Sequence, residues 1–133
     1  MTLGQLLFYF AFAVIAFLVL RPLLFGGPRI TPADAAAQVS AGTAVLIDVR
    51  EPSEWASGTA APAALLSLGD LRGERREWKP YLKKNKDKLL IVYCASGVRS
   101  GVAAGILKKE GFRVANLGGF GRWASAGLPV RKP

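Results

Sequence analysis

An uninterrupted apolar run at the amino terminus constrains the fold of this 133-residue chain more than any other feature. Residues 1–20 contain no charged side chain and consist mostly of Leu, Phe, Ala, Val and Ile. Twenty residues of α-helix extend about 30 Å, which is the thickness of the apolar core of a bilayer. The run predicts a transmembrane helix at residues 1–25, a linker at 26–29 and a folded domain at 30–133.

A secretory signal peptide or a buried core helix could also produce an apolar run of this length. A signal peptide needs a positively charged start and a cleavage site of small residues. This run starts with no charged side chain, and Arg21 and Pro22 follow it in a poor context for cleavage. A core helix is expected to carry a polar stripe, and none is visible in residues 1–20. The pattern therefore favours a membrane anchor over both.

The distribution of charge predicts the orientation of that anchor. All 18 Lys and Arg residues follow the run, against 9 acidic residues, and the net charge is +9. The positive-inside rule then places the carboxyl-terminal domain in the cytoplasm, as part of a single-pass protein of the inner cell membrane. The lone cysteine, Cys94, cannot form an intrachain disulfide, which agrees with a reducing compartment.

Basic residues are concentrated between positions 72 and 88, where eight Lys or Arg accompany three acidic residues. Such a face could contact the anionic headgroups of a lipid bilayer or attract an anionic substrate. The alternative is a solvated helix face with pairs of opposite charge along it. Nucleic acid is not an expected partner, because the sequence shows no stacking platform or recognition helix.

Apolar runs alternate with helical patterns in the remaining chain. Runs at 44–49, 88–93 and 112–117 have the length and continuity of strands that are covered on both faces. Helices are predicted from Pro32, with Thr31 as the capping residue, at 72–84 with an interruption at Pro80, and at 100–110. Residues 65–68 form a weak strand or a turn. This alternation predicts an α/β sandwich around a parallel sheet.

The sequence VYCASGVRSG places Cys94 at the end of the second strand run and just before a helix. Ligand sites lie at the carboxyl ends of parallel strands. The small residues that follow Cys94 can turn their N–H groups inward, and Arg99 and the helix amino terminus add positive charge. These features favour a thiolate, so Cys94 is predicted to be a reactive nucleophile rather than an inert buried cysteine.

The residues expected to bind substrate around this thiol are Ala95, Ser96, Gly97, Val98, Arg99 and Ser100. With no histidine and a single cysteine, the chain has neither a His-based triad nor a His-containing or thiolate-rich metal site. No metal and no other cofactor is therefore expected. A thiolate can take up one sulfur atom to become a persulfide without the help of a general base.

The stretches ITPADAA, VLIDVREPSEWASG, IVYCASGVRSGVAAGILKKEGF and VANLGGFGRWASAGLPV follow the order and spacing of a known family. Through them the chain resembles the single-domain rhodanese sulfurtransferases from residue 30 to about residue 130. The resemblance implies a rhodanese-like three-layer α/β sandwich with a central parallel five-stranded sheet. It also implies a thiosulfate sulfurtransferase, in which Cys94 takes sulfane sulfur from a small donor and passes it to a thiol acceptor. By matching position, Asp48 and Arg50 are expected to support the site.

Two details bear on that resemblance. Four residues separate Cys94 from Arg99, whereas related phosphatases have one more, which disfavours a phosphatase or an arsenate reductase. Residues 58–63 read Gly-Thr-Ala-Ala-Pro-Ala, where the family usually reads Gly-His-Ile-Pro-Gly-Ala. The altered stretch leaves a second interpretation open, a docking module of a membrane protein complex with little or no catalysis. The anchor itself suggests a membrane transporter or enzyme as a partner.

Overall fold

The computed structural model describes residues 1–25 and 27–133. Its first element is α1 (Leu3–Phe25), whose segment Leu3–Leu20 has a mean hydropathy of 2.4 and is not buried against the rest of the chain. Within the described residues, α1 is the one helix that is long and apolar enough to cross a membrane. Gly26, the first residue of the predicted linker, lies outside the described residues.

The elements that follow α1 are α2 (Pro32–Ser40), β1 (Ala44–Asp48), α3 (Pro52–Trp55), β2 (Thr59–Ala60), β3 (Ala64–Leu65), α4 (Leu68–Arg72), α5 (Trp78–Asn85), β4 (Leu89–Cys94), α6 (Val98–Lys109), β5 (Val114–Gly119), α7 (Phe120–Ser125) and β6 (Val130–Arg131). The strands β3, β1, β4 and β5 form a parallel sheet in that order. The strands β2 and β6 form a separate antiparallel pair.

Helices cover both faces of the parallel sheet, which gives the expected three layers. On one face, Trp78 of α5 belongs to the same buried core as Val92 of β4. On the other face, Trp123 of α7 packs in a core with Tyr93 of β4. Successive strand residues point to opposite faces of a sheet, so Cys94 shares the face of Val92 and not that of Tyr93. The continuous apolar runs of β1 and β4 reflect this double burial.

The expected fifth strand is the main correction to the predicted fold. The described sheet has four strands, and the segment before α2 adds only a single parallel bridge between Arg29 and Asn116. The N–H of Asn116 donates to Pro28 O at 2.8 Å, and the N–H of Ile30 donates to Asn116 O at 3.3 Å. Pro28 has no N–H, and Thr31 already caps α2, so the segment is too short to continue the ladder.

The helix predicted at 72–84 is also corrected, because α4 ends at Arg72 and the next helix, α5, begins only at Trp78. The break lies at Arg75, which has a positive φ of 58°, and not at Pro80. Pro80 falls in the first turn of α5, where its missing N–H costs nothing. The carboxylate of Asp70 accepts hydrogen bonds from the N–H groups of Arg76, Glu77 and Trp78, which fixes the start of α5.

The parallel strands give the sheet two different ends. We call the loops before β1, β4 and β5, at residues 41–43, 86–88 and 110–113, together with the last turns of α5 and α6, the amino end. The carboxyl end comprises the loops that follow the same strands, at residues 49–58 and 95–97, and the start of α7. The six residues of β4 separate the two ends by about 20 Å.

Candidate active site

Cys94 is the last residue of β4, at the carboxyl end of the sheet, and it is fully buried under the loop that follows. Gly97 has a φ of +96°, a left-handed conformation that turns the loop back over the sulfur. The N–H of Gly97 donates to Cys94 Sγ at 3.0 Å. The hydroxyl of Ser100, in the first turn of α6, lies 3.5 Å from the same sulfur. The sulfur therefore sits among donors at a helix amino terminus.

These donors decide the protonation of the thiol. Burial raises the pKa of Cys94, but hydrogen bonds from the Ser100 hydroxyl and from the N–H groups of Ser100, Ser96 and Gly97 lower it by more. The net effect is a pKa below the ordinary value of a cysteine. A thiolate is the reactive form of cysteine, so the geometry suits a nucleophile.

Two glycines of β5 form the surface on which this loop packs. A Cβ placed on Gly119 would lie 2.7 Å from Ala95 O, a contact that real side chains do not make. A Cβ placed on Gly97 would lie 3.2 Å from Gly118 Cα, so the loop and the strand approach backbone to backbone. These β5 glycines were not predicted as site residues, although the pair Gly118-Gly119 is a visible signal of close approach.

Asn116 is a second residue that sequence reasoning missed. It is buried on β5, and its Oδ1 accepts hydrogen bonds from Ser100 Oγ at 2.8 Å and from the N–H of Gly118 at 2.9 Å. Its Nδ2 donates to Gly97 O at 3.3 Å. Asn116 therefore holds both the loop and the hydroxyl that faces Cys94, and no motif in the sequence marks it for this position.

Arg99 is not a free cation at the rim of the site. Its guanidinium forms a bidentate ion pair with Glu54 of α3, with hydrogen bonds of 2.5 and 2.9 Å, and both side chains are about one third exposed. The hydrogen bond from Arg99 lowers the pKa of Glu54 to about 2, and the same bond raises the pKa of Arg99. Glu54 was missed as a site residue, although it lies in the stretch DVREPSEW that carried part of the family resemblance.

Asp48 and Arg50 lie on the other face of the sheet from the thiol. Their side chains are buried and paired, with Arg50 Nη2 2.9 Å from Asp48 Oδ2. Asp48 also accepts hydrogen bonds from Thr59 Oγ1 at 2.8 Å and from Tyr93 Oη at 2.9 Å. Burial raises the pKa of Tyr93 to about 12, so the phenol keeps the proton that it donates. Arg50 stacks over the ring of Phe120, with its Cζ 4.9 Å from the ring centroid.

Thr59 shows how the altered stretch at 58–63 fits the fold. It stands where the family pattern has histidine, and its hydroxyl joins the buried Asp48 cluster. Arg50 Nη2 also donates to Gly58 O at 2.6 Å, so the stretch is tied to the end of β1 by two hydrogen bonds.

The remaining predicted binding residues form the mouth of the site. Ala95 and Ser96 are exposed, and Val98 is 72% exposed at the start of α6. They surround the buried sulfur with small polar and apolar groups. Among the described residues, no three His, Cys, Asp or Glu side chains come together as a metal site.

Comparison with known proteins identifies relatives of this chain. A family model described as "Rhodanese-like domain" matches residues 31–126. A protein named sulfurtransferase from Allochromatium vinosum is 38% identical over 91 residues, covering 67% of this chain and 79% of that protein. The YqhL protein of Bacillus subtilis is 40% identical over 82 residues, and the alignment covers 60% of this chain and 60% of YqhL.

Two further matches extend the comparison. The thiosulfate:glutathione sulfurtransferase of Saccharomyces cerevisiae is 36% identical over 95 residues, covering 62% of this chain and 66% of the yeast protein. The crystal structure of a rhodanese-related protein from Thermoplasma volcanium superimposes with a TM-score of 0.66 at 28% identity, covering 80% of this chain and 99% of that one.

Proposed function

The chain belongs to the rhodanese-like domain family, and on that premise we propose that it is a sulfurtransferase that carries sulfane sulfur on Cys94. The observation that carries the proposal is the position of the thiol at the end of β4, with hydrogen bonds converging on its sulfur. The relatives named as sulfurtransferases support transfer of sulfur in general. Thiosulfate is the donor that we propose, since a yeast relative is named for it.

The first half of the reaction charges the enzyme. The Cys94 thiolate attacks the outer sulfur of thiosulfate, a new S–S bond forms, and the S–S bond of thiosulfate breaks. The bonding electron pair leaves with sulfite, and Cys94 becomes a persulfide anion. No proton is transferred, so the chain needs no general base once the thiol is ionised. The lowered pKa of Cys94 provides that ionised form.

The second half returns the enzyme to its starting state. An acceptor thiolate, or cyanide in an assay, attacks the outer sulfur of the persulfide, and the electron pair of the S–S bond returns to Cys94. Ser100 has one hydroxyl proton to donate, and its Oγ lies 2.8 Å from Asn116 Oδ1 and 3.5 Å from Cys94 Sγ. Because an anionic sulfur is a stronger acceptor than a thiol, this hydroxyl would turn toward the sulfur when it is charged.

Arg99 and Glu54 would act at the mouth of the site rather than on the sulfur. The pair fixes α3 against the first turn of α6, which holds the loop of Cys94 in its curved form. An anionic donor would approach an arginine whose charge is already balanced by Glu54. Recognition of thiosulfate would therefore depend mainly on the N–H groups of the loop.

We also propose that α1 anchors the domain to the cytoplasmic side of the cell membrane. The support is the hydropathy and length of Leu3–Leu20 and the position of every Lys and Arg after that run. A membrane transporter that delivers a sulfur compound, or an enzyme that receives reduced sulfur, would be a suitable partner. Recovery of a specific membrane protein with the full chain in detergent would test that expectation.

Intact-mass measurement of the full chain after thiosulfate treatment tests the central proposal. We expect a gain of about 32 Da, one sulfur atom, that thiols or cyanide remove. The variant Cys94→Ser should gain nothing and should form no thiocyanate. A matched control, Cys94→Ser with Ser53→Cys, restores an exposed thiol without the loop and should also remain inactive. Equal thiocyanate formation by the wild-type chain and Cys94→Ser would contradict sulfur transfer and favour a docking role.

A further inference from the structure

The amino end of the sheet is densely cationic. Seven basic side chains lie there, and all except the half-buried Lys88 are exposed: Lys83, Lys84, Lys86, Lys88, Lys108, Lys109 and Arg113. In the described part of this end, only Asp87 and Glu110 oppose them, and Glu110 is already paired with Arg75. Among the described residues, none of the seven takes part in an ion pair. The surface combines separate stretches of sequence, so it differs from the basic segment at 72–88.

Backbone contacts join these stretches into one surface. Arg113 Nη2 donates to Asp87 O at 2.6 Å, and Leu90 N donates to Arg113 O at 2.9 Å. The loop before β1 is adjacent, since Leu89 N donates to Thr43 O at 3.1 Å. The surface is therefore continuous across the starts of β1, β4 and β5.

Stabilisation of helix carboxyl termini explains only some of these basic residues. Lysines in the last turns of α5 and α6 interact favourably with the negative end of the helix dipole. Lys88 and Arg113 lie in the loops beyond these helices and gain nothing comparable. A cluster of cations repels itself unless an anionic partner covers it.

The apolar helix reaches the domain at this same end. Gly27, two residues after α1 ends, lies beside Ala104 of α6 and the first residue of β5, with its ideal Cβ position 3.7 Å from Val114 O. The chain therefore leaves the anchor and enters the domain next to the cationic surface. The thiol lies about 20 Å away, at the opposite end of the strands.

From this geometry we propose that the amino end docks on anionic phospholipid headgroups of the bilayer that holds α1, an inference that rests on the proposed anchoring. Docking through this surface turns the carboxyl end, with Cys94, away from the lipid. The thiol then faces the aqueous phase, where soluble sulfur donors and acceptors can reach it. Each lysine near an anionic leaflet is expected to raise the docked population roughly fivefold.

The test places a fluorophore at each end of the sheet in the full chain. Ala41→Cys labels the amino end and Ser53→Cys the carboxyl end, each combined with Cys94→Ser so that one thiol is present. The chains are reconstituted in vesicles of phosphatidylcholine alone, or mixed with phosphatidylglycerol, that contain a headgroup nitroxide quencher. We expect quenching at Ala41 to rise with phosphatidylglycerol and to fall with added salt. The label at Ser53 should respond to neither.

Charge-reversal variants separate local docking from net charge. Lys86→Glu with Lys109→Glu should abolish the lipid-dependent quenching at Ala41. The matched pair Lys79→Glu with Lys132→Glu changes the net charge equally, away from the amino end, and should preserve it. Equal quenching in both lipids, or equal effects of the two pairs, would overturn the proposal.

Flotation of the same vesicles distinguishes docking from anchoring. A chain that floats with both lipid mixtures but shows no lipid-dependent quenching overturns docking alone. A chain that floats with neither overturns anchoring and docking together. The persulfide mass shift is measured separately, so the test of sulfur transfer does not depend on the outcome for docking or for anchoring.

Discussion

Charged side chains are arranged differently at the two ends of the parallel sheet. At the carboxyl end, Asp48 pairs with Arg50 and Glu54 pairs with Arg99, so these four charges balance one another within the fold. At the amino end, lysines stand exposed without partners among the described residues. Both ends belong to the same strands, so the order of the strands does not by itself explain why, in the described part of the chain, charges are paired at one end and unpaired at the other. The two ion pairs at the carboxyl end are therefore internal to the fold, whereas the exposed cations of the amino end suit the lipid surface proposed above.

Burial accounts for the pairing of Asp48 with Arg50 at the carboxyl end. Asp48 has no exposed surface and Arg50 only 6%, so either charge alone would be costly. The exposed lysines of the amino end remain hydrated and carry no such penalty. Substitutions should therefore affect stability at one end and spare it at the other.

The largest expected effect is that of Asp48→Asn. The substitution leaves the charge of Arg50 buried without its partner, and we expect a loss of about 3–5 kcal/mol in the free energy of unfolding. Urea unfolding of the full chain in detergent, followed by near-ultraviolet circular dichroism, measures it. Asp87→Asn at the amino end is the matched control and should change stability by less than about 0.5 kcal/mol. Similar losses in the two variants would remove the contrast between the ends.

Gly119→Ala should have the second-largest effect. The new methyl group would lie 2.7 Å from Ala95 O, a backbone atom, so the loop over Cys94 must move. We expect about 1–3 kcal/mol of destabilisation and a loss of sulfur transfer of about tenfold or more. Gly121→Ala is the control, because its Cβ would meet nothing within 4 Å. Unchanged thiocyanate formation by Gly119→Ala would show that close packing of the loop is not required.

Ser100→Ala tests the hydrogen bond to the sulfur. Without the hydroxyl, one of the groups that lower the pKa of Cys94 is absent, so the thiol should ionise at higher pH. The rising limb of the transfer rate against pH should move to higher pH, because the thiolate loses one of its hydrogen-bond donors. The deficit should shrink as pH rises. Ser125→Ala, at an exposed position of α7, should leave the profile in place; a profile of Ser100→Ala that also stays in place would refute this role.

Glu54→Gln should have a smaller effect on the free energy of unfolding, and this effect should disappear in acid. In the folded chain Arg99 lowers the pKa of Glu54 from 4.5 to about 2, so the ionised pair stabilises the fold above about pH 4.5. That contribution disappears as pH falls from about 4.5 to about 2. Because the pair is partly exposed, we expect less than about 1 kcal/mol. Unfolding of Glu54→Gln and of the control Glu77→Gln across this range would show the difference, and identical acid profiles would contradict it.

The smallest expected effect comes from Lys86→Glu combined with Lys109→Glu at the amino end. Both side chains are exposed and lie outside the ion pairs of the described residues, so stability in neutral detergent should change by less than about 0.5 kcal/mol. The rate of thiocyanate formation should stay at the wild-type value, since Cys94 lies at the other end of the sheet. A tenfold loss of rate would mean that the two ends are coupled.

Much of the fold could be predicted from local patterns. The apolar runs of β1 and β4 and the cap at Thr31 were confirmed, because each depends on residues that are close in sequence. The prediction of a fifth strand was wrong, since Pro28 and the start of α2 limit the ladder to one bridge. The site prediction named Cys94 and its loop from spacing and resemblance, and the activity of those residues stays a prediction.

Local sequence specifies most of the helices and strands, the apolar amino-terminal segment and a single thiol after a buried strand, because periodicity and caps act between near neighbours. The folded domain alone reveals that Arg99 meets Glu54, 45 residues away, and that Asn116 holds Ser100 across 16 residues. It also gathers basic residues from the last turns of α5 and α6, and from the loops that follow them, at one end of the sheet. The packing of helices and strands in three dimensions decides which of these side chains meet. That packing produces no periodic pattern in the sequence.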